Sequence, residues 1–134
     1  MIPRRNAAIA LVAGLALSAC GASEQEQFAE SADAICERVN REYTKVAEET
    51  GSITALYPAV RRAHAELTAL DAPETSRAQF ARYLAVNRQR VDLMGRAITD
   101  PAPDPSSDPL MKRAEALQAQ SGDLAGDLGF EQCS

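Results

Sequence analysis

The chain has 134 residues, 46% of them hydrophobic but only 4% aromatic, no tryptophan, and a formal charge of −5. That length suits one domain around one core. The acidic balance argues against recruiting nucleic acid or an anionic lipid surface by charge, and the scarcity of rings argues against stacking platforms for bases or sugars.

The first element is a leader. Arg4 and Arg5 open it, Ala7 to Leu17 is an uncharged apolar run, and small residues follow. The run is too short to span a bilayer. A basic start, a short apolar core and a small-residue exit are the parts of a secretory signal peptide. Leu17-Ser18-Ala19-Cys20 resembles the lipobox of bacterial lipoproteins at all four positions. The resemblance implies cleavage before Cys20, diacylglycerol on its thiol, and residence on the extracytoplasmic face of the cell membrane, where two or three acyl chains hold stably at about 0.8 kcal/mol per buried CH₂. The chain then divides into a signal peptide (1–19), a lipidated cysteine with its tether (20–27) and a helical domain (28–134). A tether of Gly21 to Gln27 reaches about 25 Å at most. Cleavage removes Arg4 and Arg5 and no acid, which moves the formal charge from −5 to −7.

Four helical segments follow. In the first, from about Glu24 to Glu49, Phe28, Ala32, Ile35, Val39, Tyr43 and Val46 recur at three- and four-residue steps, and Gly51 suits a left-handed cap. The second runs from about Ile53 to Leu70, with Ser52 as its cap and Ile53, Leu56, Val60, Ala63, Leu67 and Leu70 along one face. Pro58 allows its regular part to start as late as Leu56 or Tyr57. The third runs from about Glu74 to Thr99, with Phe80, Leu84, Asn87, Val91, Met94 and Ile98 as its stripe. The proline-rich stretch DPAPDPSSDP is expected to be extended and stiff. Asp108 caps a fourth helix with Pro109 at its first position. Leu110, Ala114, Leu117, Ser121, Leu124 and Leu128 form its face, and Gly122, Gly126 and Gly129 weaken its end.

Four amphipathic helices with short early links predict an all-α, up-down four-helix bundle. With Cys20 lipidated, Cys36 and Cys133 remain, and two leftover cysteines in an exported chain pair. In an up-down bundle the end of the fourth helix lies near the start of the first, so one disulfide is expected to staple the tail to the first helix. The lipobox, the segment ADAICERVN, the arginine-rich middle helices and the terminal LGFEQC together resemble small helical lipoproteins of actinobacteria. This resemblance implies a compact helical fold in the cell envelope and carries no catalytic residue across.

The chemistry-bearing residues are few. There is no G-x-S-x-G turn, no Gly-rich phosphate loop, and no carboxylate pair placed for acid–base work. His64, the single histidine, is too little for a zinc site of three or four ligands. A pocket between helices near Tyr57, His64, Tyr83 and Asn87 is the candidate ligand site, with Asn87 on the core stripe and Ser121 able to face it. Arg61, Arg62, Arg82, Arg88 and Arg90 form a candidate basic face, set against the acids of the first helix. The expected function is that of a non-enzymatic, membrane-anchored binding or adaptor domain without cofactor or metal, meeting an envelope protein and not nucleic acid. The alternative is a helical bundle that binds haem or a metal through His64 with Tyr57 or Tyr83.

Overall fold

The computed structural model describes residues 22–134. Residues 1–21, with the expected signal peptide and lipidated Cys20, lie outside the described residues. The elements in chain order are α1 (Glu24–Glu49), α2 (Ile53–Thr68), α3 (Arg77–Thr99), one 3₁₀ turn (Pro105–Ser107) and α4 (Pro109–Asp127). No strand occurs among the described residues. None of these helices is long and apolar enough to cross a membrane.

Local chemistry sets the ends. Ser23 starts α1 through a capping box: its hydroxyl accepts the Glu26 N–H at 3.2 Å, and the Glu26 carboxylate accepts the Ser23 N–H at 2.7 Å. Glu24 to Gln27, expected in a tether, are therefore part of α1. Gly51, at φ 60°, closes the other end of α1 by donating to the Val46 carbonyl. Ser52 occupies the cap position of α2, but its hydroxyl makes no capping bond. The helix nevertheless begins at Ile53, with Pro58 inside it. Pro58 lies in the second turn, where the amide it lacks would have served only the carbonyl of exposed Thr54, which water can satisfy.

Two boundaries differ from the sequence expectation. Helix α2 ends at Thr68, not Leu70, and α3 starts at Arg77, not Glu74. Pro73 to Ser76 form a tight turn closed by the Ser76 N–H on the Pro73 carbonyl at 2.9 Å, and the Ser76 hydroxyl donates to the Gln25 side chain. The proline-rich link is not wholly extended either. Asp104 accepts from the Ser106 N–H at 3.0 Å and hydroxyl at 2.8 Å, which folds residues 105–107 into the 3₁₀ turn. The Asp108 carboxylate caps α4 through the Leu110 N–H at 2.8 Å, with Pro109 in the first turn.

The fold is an up-down bundle in which α1 packs on α2, α2 on α3 and α3 on α4. Helices α1 and α4 have no Cα atoms within 8 Å of each other; they share a core through side chains, Gln25 Nε2 donates to the Leu128 carbonyl at 2.8 Å, and the C-terminal tail is bonded along α1. Gly129 is the hinge of that arrangement. At φ 80° it terminates α4 in a left-handed turn, with its own N–H on the Gly126 carbonyl and the Phe130 N–H on the Ala125 carbonyl at 2.9 Å, the Schellman pattern. The turn sends Phe130 into the core. Phe130 is 2% exposed and meets Phe28 at 5.4 Å, Tyr83 at 5.5 Å and Phe80 at 6.2 Å between ring centroids. The disulfide Cys36–Cys133 then fixes the tail to α1, with Cα atoms 5.1 Å apart. The Asp33 carboxylate accepts the amides of Glu131 and Gln132 at 3.1 and 2.7 Å.

Burial follows from this geometry. Phe28, Ala32 and Ile35 of α1 are buried, Val39 and Val46 are half-buried, and Tyr43, expected on the core stripe, is 57% exposed. The outer half of α1 has only α2 beside it. Helix α3 buries a wider arc than the single expected stripe, adding Tyr83, Val86, Leu93 and Ala97, because it is covered from two sides, by α2 and α4.

Candidate functional site: a polar layer between two cores

The buried apolar residues fall into two clusters. One gathers Phe28, Leu67, Phe80, Tyr83, Leu128 and Phe130 at the end where the tail turns back. The other gathers Leu93, Met94 and Ala114, with Tyr57, Val60, Leu110 and Leu117 packed against them. Each central helix crosses from one cluster to the other through a polar residue. On α2 the order is Val60, His64, Leu67; on α3 it is Tyr83, Asn87, Arg90, Met94; on α4 it is Leu117, Ser121, Ala125. Helical spacing of three and four residues keeps these side chains on the faces that meet.

Within this layer the expected meeting of Asn87 and Ser121 is realised. Asn87 Oδ1 accepts from the Ser121 hydroxyl at 3.3 Å and from Arg90 Nη1 at 3.2 Å, while Asn87 Nδ2 donates to the Tyr83 carbonyl at 3.1 Å. Asn87 and Ser121 are buried, and a buried polar group is tolerated only when so bonded. The amide thereby orients the Arg90 guanidinium. Arg90 takes part in none of the ion pairs among the described residues. Burial pulls its pKa below the usual arginine range, with the nearby Tyr83 acting against that shift.

The layer opens into a cavity of about 90 Å³. Tyr83 and Asn87 form its floor, His64 and Arg90 its half-buried sides, and the disulfide with Gln132 and Ser134 its roof. Its lining draws on all four helices and the tail, and it contains no Asp or Glu. The cavity exists where the backbones of α1 and α4 stay apart and the tail fills only part of the gap. His64 Nδ1 is buried without a hydrogen-bond partner. Burial, then the charge of Arg88, lower the His64 pKa from 6.5, against an upward pull from Asp92. Burial raises the Tyr83 phenol, opposed by its hydrogen bond with Asn87 and by the charge of Arg90.

The histidine shift has a sign that can be tested. The folded imidazole holds its proton less tightly than the unfolded one, so the unfolded chain binds more protons as the pH falls below about 6.5. Stability is undiminished above that pH, declines as the pH falls from the unfolded pKa to the lower folded one, and levels off below it. In thermal unfolding between about pH 7.5 and 5, the wild type should lose more in Tm on acidification than His64→Gln does. Equal losses would mean that the imbalance at His64 does not reach the folding equilibrium.

The structure brings together His64, Tyr83 and Asn87 and leaves Tyr57 out. Tyr57 packs in the second apolar cluster, with its hydroxyl over Gly95. It precedes His64 by seven residues, about 10 Å along the helix axis, and lies outside the cavity lining. The five arginines do not make one face. Arg62 is engaged by both carboxylate oxygens of Glu42 at 2.8 Å, and Arg61 lies over the Tyr57 ring at 5.8 Å. Arg90 is turned inward, while Arg82 and Arg88 are exposed and about a third of a turn apart around α3. With the Arg38–Glu66 pair, the acid-rich α1 and the arginines of α2 form ion pairs between the helices, each worth about 0–1 kcal/mol at such exposure.

Arg90, expected on a basic face, and the disulfide, expected as a staple, are the lining members that the sequence reading did not place at the pocket. Arg90 follows Asn87 by three residues and Tyr83 by seven, and that placement was the available signal. No group of three or more His, Cys, Asp or Glu side chains among the described residues is placed to hold a metal ion. No protein-family model, no curated protein and no solved structure matches the chain.

Proposed function

We propose that the chain is a lipid-anchored, non-enzymatic binding domain on the extracytoplasmic face of a membrane, and that it receives a small ligand in the cavity between its helices. The observation that carries this reading is the polar layer. A chain able to join its two apolar clusters instead keeps an imidazole nitrogen unpartnered and a guanidinium without a carboxylate beside an open space. Such groups cost stability and mark sites with a task. Leu17 to Cys20 supports the anchor, and a disulfide spanning 97 residues supports an oxidising compartment. On a tether of residues 21–23, the N-terminal end of α1 faces the membrane closely. Cys36 then lies about 18 Å further along the helix, so the cavity mouth clears the lipid surface. The cavity is far below the roughly 300–1,000 Å³ of cofactor-sized pockets, which favours a small ligand over haem.

Two measurements test this. On cell fractionation, wild-type protein should sediment with membranes and incorporate labelled fatty acid, and Cys20→Ala should do neither; a soluble, unlabelled wild type would remove the anchor. In native mass spectrometry, wild-type protein from its own host should carry a small-molecule adduct that Asn87→Leu lacks. A bare wild-type protein would remove the ligand. A protein partner in the envelope is the second reading, favoured by the exposed Tyr43 with half-buried Val39 and Val46 on the outer half of α1.

A further inference from the structure

We infer that the cavity is a receptor site for a small organic monocarboxylate, whose carboxyl group pairs with Arg90 and whose apolar body lies against Val39, Val60 and Val91. The inference deepens the cavity reading above and rests on it.

Charge comes first. Arg90 is the only side chain of the lining with a fixed charge, no Asp or Glu accompanies it, and one of its N–H groups is spent on the neutral Asn87 amide oxygen. A guanidinium has five donors in a planar fork that matches a carboxylate in two parallel bonds. A metal or ammonium ligand would meet that positive charge with no Asp or Glu of the lining to offset it. The charged groups nearest the other walls do not change the balance. Arg88 lowers the His64 pKa and is opposed by Asp92. Asp33, which acts on Tyr83, is already engaged by the amides of Glu131 and Gln132.

Donors come second. Among the described residues only one Arg90 N–H is bonded within the protein, so the fork keeps donors for a carboxylate in the cavity. Shape and wall chemistry come third. Val39, Val60, Ala63, Leu67 and Val91, with the disulfide, make most of the remaining wall apolar. A bare oxyanion such as sulfate leaves those walls against water, whereas an acid with a short hydrocarbon body covers them. A space of about 90 Å³, at roughly 10–15 Å³ per water-sized occupant, admits on the order of six to nine non-hydrogen atoms. That is the size of a four- to six-carbon acid.

His64 makes the test direct, because its ring resonance is the only histidine signal in the protein. Oxidised full-length protein in detergent is titrated at constant ionic strength with butanoate, hexanoate, butanamide, sulfate and phosphate, while the His64 ring is followed by NMR. Butanoate and hexanoate should shift the ring saturably. Arg90→Gln should weaken them tenfold or more, and Arg90→Lys, which keeps charge and loses the fork, should fall between. Butanamide binding as well as butanoate, or sulfate or phosphate binding better, would overturn the carboxylate assignment while leaving a ligand cavity. No saturable shift with any probe would overturn both. Circular dichroism and thiol titration establish that each variant is folded with its disulfide intact. Should neither Arg90 variant fold, the wild-type contrast between butanoate and butanamide decides alone.

Discussion

Reduction of Cys36–Cys133, or its replacement by Cys36→Ser with Cys133→Ser, is expected to cost about 4 kcal/mol of folding stability, read as a lower urea midpoint with a steeper slope, since the unlinked denatured chain exposes more surface. The bridge closes a loop across 97 residues of sequence separation, and a loop near that length is worth about 4–5 kcal/mol in the chain-entropy model, with native disulfides measured at roughly 2–5. A domain of this size has on the order of 5–15 kcal/mol in total, so the loss is a large share. It should also be local. The tail holds α1 through the bridge, through Asp33 on the amides of Glu131 and Gln132, and through Asn40 on the Gln132 carbonyl at 2.9 Å. Without the bridge those two amides should lose hydrogen-exchange protection before the amides of α3 do. A stability change below about 1 kcal/mol, with the tail amides still protected, would show that the noncovalent contacts alone seat the tail. Because the tail roofs the cavity, the same variants should also release whatever the cavity holds.

Much of this architecture is written in local chemistry. The helices, the glycine cap at Gly51 and the aspartate–proline start of α4 are each set within one or two turns of chain, and so they are visible before the fold is known. The meeting of Asn87 with Ser121 was visible for a related reason: both sit in register on otherwise apolar stripes. Arg90 was hidden because its position is inward only when α3 is covered from two sides, and an amphipathic pattern reports one face at a time. Gly129 reads as a weak helix position when taken alone. Its left-handed turn has meaning only with Phe130 after it and an aromatic cluster on α1 and α3 to receive that ring. Tyr57 misled because it shares a helix face with His64, yet its ring packs in the second apolar cluster with its hydroxyl at Gly95, a partner that only the assembled α2–α3 pair reveals. The α1–α4 gap that creates the cavity depends on how much space the tail takes up, a property of the assembled bundle and of no segment in it.

Phe130→Ala should be the most damaging single truncation in the tail, costing about 3–5 kcal/mol, the range for removing a fully packed phenylalanine. Phe130 is 2% exposed and faces three rings from two helices, whose edge and tilted packing adds about 0.5–1.5 kcal/mol per pair beyond buried area. Phe130→Leu keeps most of the volume and should cost about 1.5 kcal/mol or less. The two tail predictions are not independent, and their coupling is itself informative. Phe130 and Cys133 hold the same short segment against α1, so once one anchor is gone the other has less left to lose. A double-mutant cycle between Phe130→Ala and the paired serine replacement should therefore give a combined loss smaller than the sum by about 1 kcal/mol or more. Simple additivity would mean that ring and bridge stabilise the fold separately, and the tail would then be two attachments in sequence instead of one cooperative roof over the polar layer.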